Sequence, residues 1–416
     1  MTQPPPAPPA PSSSARGWGV VASALAINLI IGALYAWGVF KKALVTDWHW
    51  SNTRAALPFT VSTIAFALTM IFAGRWQDKI GPRYVATLGG VFFGLGLMLS
   101  GYAHSPSMMV LTFGVIAGVG IGLGYSATTP PSIKWFPPAR KGLITGIVVS
   151  GVGLAAVYNA PLTQYLLGYT HSISKTFVIL GAGSLVLVCI LAQFLQNPPP
   201  GYTGGAMSAP PSGKAPAGPA GASGRQLDWH EMLRTPQFYH LWVMFVLAAS
   251  AGMMIIVHVG NIAKEQAKLA WGFLPIAVLA LFNTSGRLLS GVVSDLFGRP
   301  KTMVAAFLLQ AVNMFVFNFY RDPTSLLFAS AFTGLCYGTI FTLFPATTAD
   351  FYGVRNLGVN YGLMFTAFGV AGVVGPIVGG AIRDHFGAYS YAYIVSGVLL
   401  VVGALLALAL RPVRLA

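Results

Sequence analysis

The chain reads as an all-α membrane protein: twelve transmembrane helices in two pseudo-symmetric six-helix bundles. Three observations predict this class. The 416 residues are 55% hydrophobic and 8% charged, with a mean hydropathy of +0.70, too apolar for a water-facing domain of this size. Apolar runs of about 20 residues, enough to cross roughly 30 Å of hydrocarbon as a helix, recur along the whole length. The pattern of the first half returns in the second at an offset of 217 residues.

Taken in order, residues 1–16 (MTQPPPAPPAPSSSAR) are rich in Pro and Ser and lack a cationic segment leading into a short apolar core. They read as a disordered cytoplasmic tail, not a cleaved signal peptide. Six spans follow near 18–40, 55–74, 84–103, 107–130, 142–167 and 174–196, giving a first bundle over 17–197. Residues 198–235, rich in Pro, Gly, Ala and Ser, form a flexible linker in which Asp228 to Arg234 has the pattern of a short surface helix. A second bundle covers 236–411, with spans near 237–260, 269–293, 302–320, 324–348, 358–381 and 388–410, before a tail of 412–416. With the N-terminus inside, cytoplasmic segments hold 15 Lys or Arg against 8 outside, which puts both termini in the cytoplasm; the expected location is the cytoplasmic (inner) membrane.

The net charge of +15 does not point to nucleic acid, because the charges are spread over short loops without a dense basic face. Cys189 and Cys336 both fall inside spans, so no structural disulfide is expected. The spans offer no metal cluster, no cofactor motif and no nucleophile beside a base, which argues against an enzyme.

The repeat is sharpest in two loops. Gly74-Arg75-Trp76-Gln77-Asp78-Lys79-Ile80-Gly81-Pro82-Arg83 ends span 2, and Gly291-Val292-Val293-Ser294-Asp295-Leu296-Phe297-Gly298-Arg299 ends span 8. Both fit G-x3-D-x2-G followed by basic residues: the glycines permit a tight turn and close packing, and the Asp caps a helix or pairs with a cation. A second echo sets Trp135-Phe136 with Arg140 against Phe351-Tyr352 with Arg355, each leading into a Gly-rich span.

Arg287 is the only one of 24 Lys and Arg and 9 Asp and Glu to lie deep inside an apolar run. A guanidinium there costs at least about 2.5–3.5 kcal/mol unless an anion or hydrogen bonds compensate it. Two fates are open: it binds an anion from elsewhere, most simply a substrate, or it snorkels toward Asp295, roughly 12 Å along the helix. The 217-residue offset sets Met70 opposite Arg287, so the charge is one-sided and suits one carboxylate, which its planar fork binds bidentately.

Two six-span halves, a long central loop and the doubled motif resemble the major facilitator superfamily over about 17–411. Arg16-Gly17-Trp18-Gly19 and Lys134-Trp135-Phe136 through Gly153, with Arg287, are similar to the signatures of the monocarboxylate transporters, and the chain also resembles the bacterial oxalate/formate exchangers. The resemblance implies two rocking bundles around a site near the midplane, sufficient as a monomer. It further implies substrate binding by Arg287, with Asn283 one turn away on the same face. Asn283 stands where the animal transporters carry an Asp thought to exchange the coupled proton. Tyr35 stands where they carry a functional Lys, and Phe368 where the oxalate exchangers carry a second cation, which argues against a dicarboxylate.

Around Arg287 the candidates are Tyr125 and Tyr337, as hydroxyl donors or as interhelical packing, and Asn28, lining a cavity or bonding a neighbouring helix. Phe341, Phe344, Phe365 and Phe368 are candidate walls or gates. His258 is a candidate proton carrier, or a residue of the outer interface. Gly74, Arg75, Asp78, Gly81, Arg83, Gly291, Asp295, Gly298 and Arg299 form a latch at the cytoplasmic gate that favours the outward-facing state.

The expected function is proton-coupled symport of a small monocarboxylate such as L-lactate across the lipid bilayer. The alternative is carboxylate exchange of the oxalate/formate type, natural for a site with a cation and no intramembrane acid. A membrane anion sensor that does not transport belongs to a different class; the gate motifs and the absence of a signalling domain argue against it. No cofactor is expected.

Overall fold

The computed structural model describes residues 13–32, 37–199, 202, 226–269 and 273–411. The first span is described as a shorter apolar helix, α1 (Ser13–Ile31), followed by α2 (Trp37–Asp47); residues 33–36 of the expected run 18–40 lie outside the described residues. Next come α3 (Asn52–Ile80) and α4 (Pro82–Ser100). Ser51 caps α3 by accepting from the Arg54 N–H at 3.3 Å. Gly81, at φ 93°, makes the turn into α4, which begins on Pro82.

α5 (Pro106–Met109) passes through π-helical turns over Val110–Ala117 into α6 (Gly118–Ser126), and α7 (Thr129–Lys134) completes that span. α8 (Lys141–Thr170) and α9 (Ile173–Ala192) end the first half. In the linker, α10 (Trp229–Leu233) is held by a capping box between Asp228 and Glu231. The second half runs α11 (Pro236–Ile256), α12 (Val259–Gln266), α13 (Phe273–Phe297), α14 (Arg299–Val316), α15 (Pro323–Tyr352), α16 (Leu357–Phe386) and α17 (Ser390–Ala409). Among the described residues eleven helical stretches are long and apolar enough to cross a membrane, with Ala15–Ile31 a shorter apolar helix before them.

Small residues set how closely the helices approach. Within the second half, a Cβ on Gly286, Gly334 or Gly338 would collide with a carbonyl of the facing helix, so α13 and α15 meet backbone to backbone. Between the halves, Gly74 of α3 meets Gly358 of α16, and Gly142 of α8 meets Gly291 of α13. These crossings lie at the end of the molecule that carries both loop motifs, the motif face. Hydrogen bonds joining the halves cluster there too, from Lys141 to Asp350 and from Gly142, Leu143, Gly358 and Val359 to the motif aspartates. The structure is therefore closed at the motif face.

Candidate functional site

Arg287 is 1% exposed in the middle of α13. Its helix is pinned to α15 by the glycine crossing and by Thr342, whose hydroxyl donates to the Arg287 carbonyl at 2.9 Å. Nε donates to Asn283 Oδ1 at 2.8 Å, and Nη1 donates across the halves to the Val149 carbonyl of α8 at 2.5 Å. Gly153 lets α8 come this close, since a Cβ there would stand 2.6 Å from Thr284 Oγ1 and 3.4 Å from Arg287 Nε. The guanidinium lies over the Phe341 ring, 4.3 Å from its centroid. Nη2 is buried and has no hydrogen-bond partner among the described residues.

The side chain does not snorkel to Asp295. That carboxylate is occupied at the motif face by the Gly142 and Leu143 N–H groups, at 2.9 and 2.8 Å, and by Arg299 Nη2 at 2.6 Å. Among the described residues Arg287 thus has neutral hydrogen-bond partners only, and one donor nitrogen, Nη2, to spare.

Beside it, on the side away from the closed face, is a cavity of about 40 Å³ lined by Ile31, Gly32, Phe66, Ile121, Tyr125, Val152, Phe341, Phe365 and Phe368. One water needs about 10–15 Å³ by the same measure, so the space suits a group of a few heavy atoms. Of the candidates, Tyr125, Phe341, Phe365 and Phe368 line it. The three phenylalanines form one cluster, with centroids 5.3 Å apart for Phe341–Phe368 and 5.0 Å for Phe365–Phe368.

Other candidates sit elsewhere. Asn28 takes the second of its two expected roles: its amide donates to the Val148 carbonyl at 2.8 Å and accepts from Thr128 at 3.2 Å, bonds between helices. Tyr337 lines a separate small space inside the second half, beside Gly252, Phe307, Gln310 and Cys336, and its ring makes an edge contact with Phe341 at 5.5 Å. Phe344 stacks on Phe245 at 4.3 Å, away from the cavity wall. Tyr35 lies outside the described residues.

His258 is at the break between α11 and α12, far along the molecule from Arg287. Its ring nitrogens face the Pro376 carbonyl at 3.3 Å and the Tyr389 hydroxyl at 3.4 Å. Burial pushes the Tyr389 phenol up, so this neighbour stays neutral.

The latch is cross-wired. Asp78, at the end of α3, accepts from the Gly358 and Val359 N–H groups at 3.3 and 3.0 Å and so caps α16 of the other half. Asp295, at the end of α13, caps α8 of the first half in the same way. Gly81 and Gly298 hold φ of 93° and 92° at equivalent turns, a backbone that a side chain would strain.

Arg75 and Arg83 are exposed, and among the described residues neither forms an ion pair. Their expected place is taken by Lys134, 3.8 Å from Asp78. In the second half, Arg299 joins Asp295 to Asp350 at 3.0 Å, and Asp350 meets Lys141 at 3.0 Å. The sequence reading missed Asp350. Its signal was available: Lys134 and Asp350 each directly precede the repeated aromatic pair, with opposite charge.

Tyr361 of α16 was missed as well. It is 3% exposed, and its ring is 5.6 Å from Phe365.

Residues 17–290 and 267–416 match the Major Facilitator Superfamily. The oxalate:formate antiporter of Oxalobacter formigenes is 27% identical, over 92% of this chain and 88% of its own. Monocarboxylate transporter 13 of Bos taurus is 25% identical, over 95% and 89%. An uncharacterized MFS-type transporter of Escherichia coli (strain K12), YhjX, is 27% identical over 86% of each chain. Among solved structures, the proton:xylose symporter XylE superposes with a TM-score of 0.70 over 94% of this chain and 95% of its own, at 13% identity, a likeness of fold.

Proposed function

The chain belongs to the Major Facilitator Superfamily, and on that premise we propose that it carries small monocarboxylates, L-lactate among them, together with a proton by alternating access. The observation that carries this reading is the state of Arg287: buried, fixed by Asn283 and Val149, and left with a free Nη2 beside a small apolar cavity. A buried donor without an acceptor is unfavourable in hydrocarbon, and a carboxylate supplies both acceptor and counter-charge. Met70 at the equivalent position of the first half keeps the site singly charged, which favours one carboxylate over two. The motif face is the cytoplasmic one, the cell inner membrane is the location, and the monomer is the working unit.

The direct test is uptake of labelled L-lactate into proteoliposomes, with and without an inward proton gradient and with and without unlabelled lactate inside. Concentrative uptake into empty vesicles under a proton gradient supports symport. A protein that binds lactate and never accumulates it is a sensor.

One observation favours a second reading, carboxylate exchange. Among the described residues no Asp or Glu touches Arg287, so the empty site keeps its charge and its return is costly. Uptake that requires internal lactate and ignores the proton gradient would establish exchange.

A further inference from the structure

We infer that Phe66 sets the length of the cargo: its ring closes the apolar end of the central cavity, opposite the end where Arg287 holds the carboxylate. This rests on the monocarboxylate reading above and adds to it a limit on the tail, fixed by a residue of the first half.

Phe341 joins the charge to the cavity, because it lines the space and its ring centroid is 4.3 Å from the guanidinium. From there the walls run ring to ring. Phe341 meets Phe368 at 5.3 Å, Phe368 meets Phe365 at 5.0 Å, and Phe365 meets Phe66 across the halves at 4.9 Å. Tyr125 completes the far end, 5.6 Å from Phe365 and edge-on to Phe66 at 5.5 Å. All of these rings line the one cavity. A carboxylate at Arg287 therefore lies beside Phe341, and its tail runs toward the pair of Phe66 and Tyr125.

Phe66 is 7% exposed on α3, one turn from Met70 on the same face. The 217-residue offset sets it against Asn283, the residue that holds Arg287 Nε. Where the second half places an amide, the first half places a phenyl ring, so the polar and apolar ends of the site come from opposite halves. A cavity of about 40 Å³, at about 10–15 Å³ for one water, takes a tail of about two to four heavy atoms. A straight tail of that length reaches Phe66, and a longer one collides with it. The phenyl ring carries no polar atom, so it can be trimmed without leaving a donor or acceptor unpaired.

The test is ligand-induced thermal stabilisation of the purified protein, which reads binding without transport. Wild type and Phe66→Ala are titrated with sodium acetate, butyrate and hexanoate, with sodium chloride and uncharged hexanamide as controls. Each protein is referred to its own cargo-free melting temperature. A methylene that reaches an apolar wall tightens binding roughly fourfold. In the wild type, butyrate is expected to bind more tightly than acetate, and hexanoate more weakly than butyrate. In Phe66→Ala the two extra methylenes of hexanoate enter the emptied space, and it should bind roughly tenfold more tightly than butyrate. Should Phe66→Ala fail to fold, Phe66→Leu is read in the same way with a smaller shift. A variant that keeps the preference for butyrate over hexanoate overturns the inference, whether its affinities are retained or fall together; the latter marks a purely structural ring. Hexanoate binding tightest to the wild type overturns it too. If the wild type is stabilised by none of the three salts, the monocarboxylate reading falls, an outcome distinct from failure of Phe66 alone.

Discussion

Arg287 and Met70 occupy equivalent places in the two halves, and the chemistry of the site follows from that single inequality. Arg287→Lys keeps the charge but loses the fork that meets Asn283 and Val149 together and that we propose binds the carboxylate. It is expected to be produced and to fold while lactate affinity drops at least about tenfold, two to three hydrogen bonds being lost; uptake titrations check this. Asn283→Asp would place an acid 2.8 Å from Nε, internally neutralising the empty site. Weaker lactate binding and a stronger dependence of uptake on external pH are expected, read by counterflow across a pH series. Arg287 was legible because nothing else charged shares its environment, and Asn283 because one helical turn is a local relation. Tyr361 was not: a tyrosine in an apolar run carries no sign of which helix it will face. The same holds for Asn28, Tyr337 and Phe344, whose partners come from elements far away in the chain.

At the scale of helices, the glycines divide into two sets with different consequences. Gly286 packs on the Leu335 carbonyl inside one half. Gly286→Ala overpacks this contact within one half, at about 1–3 kcal/mol or more, and low yield with a reduced melting temperature is expected. Gly74 packs on Gly358 across the halves, in the closed arrangement of the motif face. Gly74→Ala should fold well yet favour opening at that face, detected as faster labelling of a cysteine introduced at Val359. Asp295→Asn should shift the equilibrium the same way, because it weakens the cap on α8 and leaves Arg299 with Asp350 alone. The motif aspartates were readable as latches from their doubled spacing. Their true partners, the N-termini of helices in the opposite half, were not, since a cap between distant elements leaves no trace in local sequence.

Over the whole molecule, composition and the offset of 217 residues sufficed for an all-helical membrane fold, since lipid leaves the backbone few alternatives. What composition could not supply was the closed state and the unequal polar filling of the two halves. The cross-wired caps have a consequence of their own. Asp78 reaches α16 as Asp295 reaches α8, and Gly74 meets Gly358 as Gly291 meets Gly142, so each contact has its mate under a two-fold operation. That is the geometry of an isologous dimer, in which one surface is complementary to itself. The covalent linker is then dispensable for recognition: polypeptides severed between Tyr202 and Gln226 and produced together should copurify. The symmetry breaks in two places, at the centre, where Arg287 answers Met70, and at the motif face, where Asp350 answers Lys134 with opposite charge, so the two-fold joint tolerates unequal side chains on either side of it.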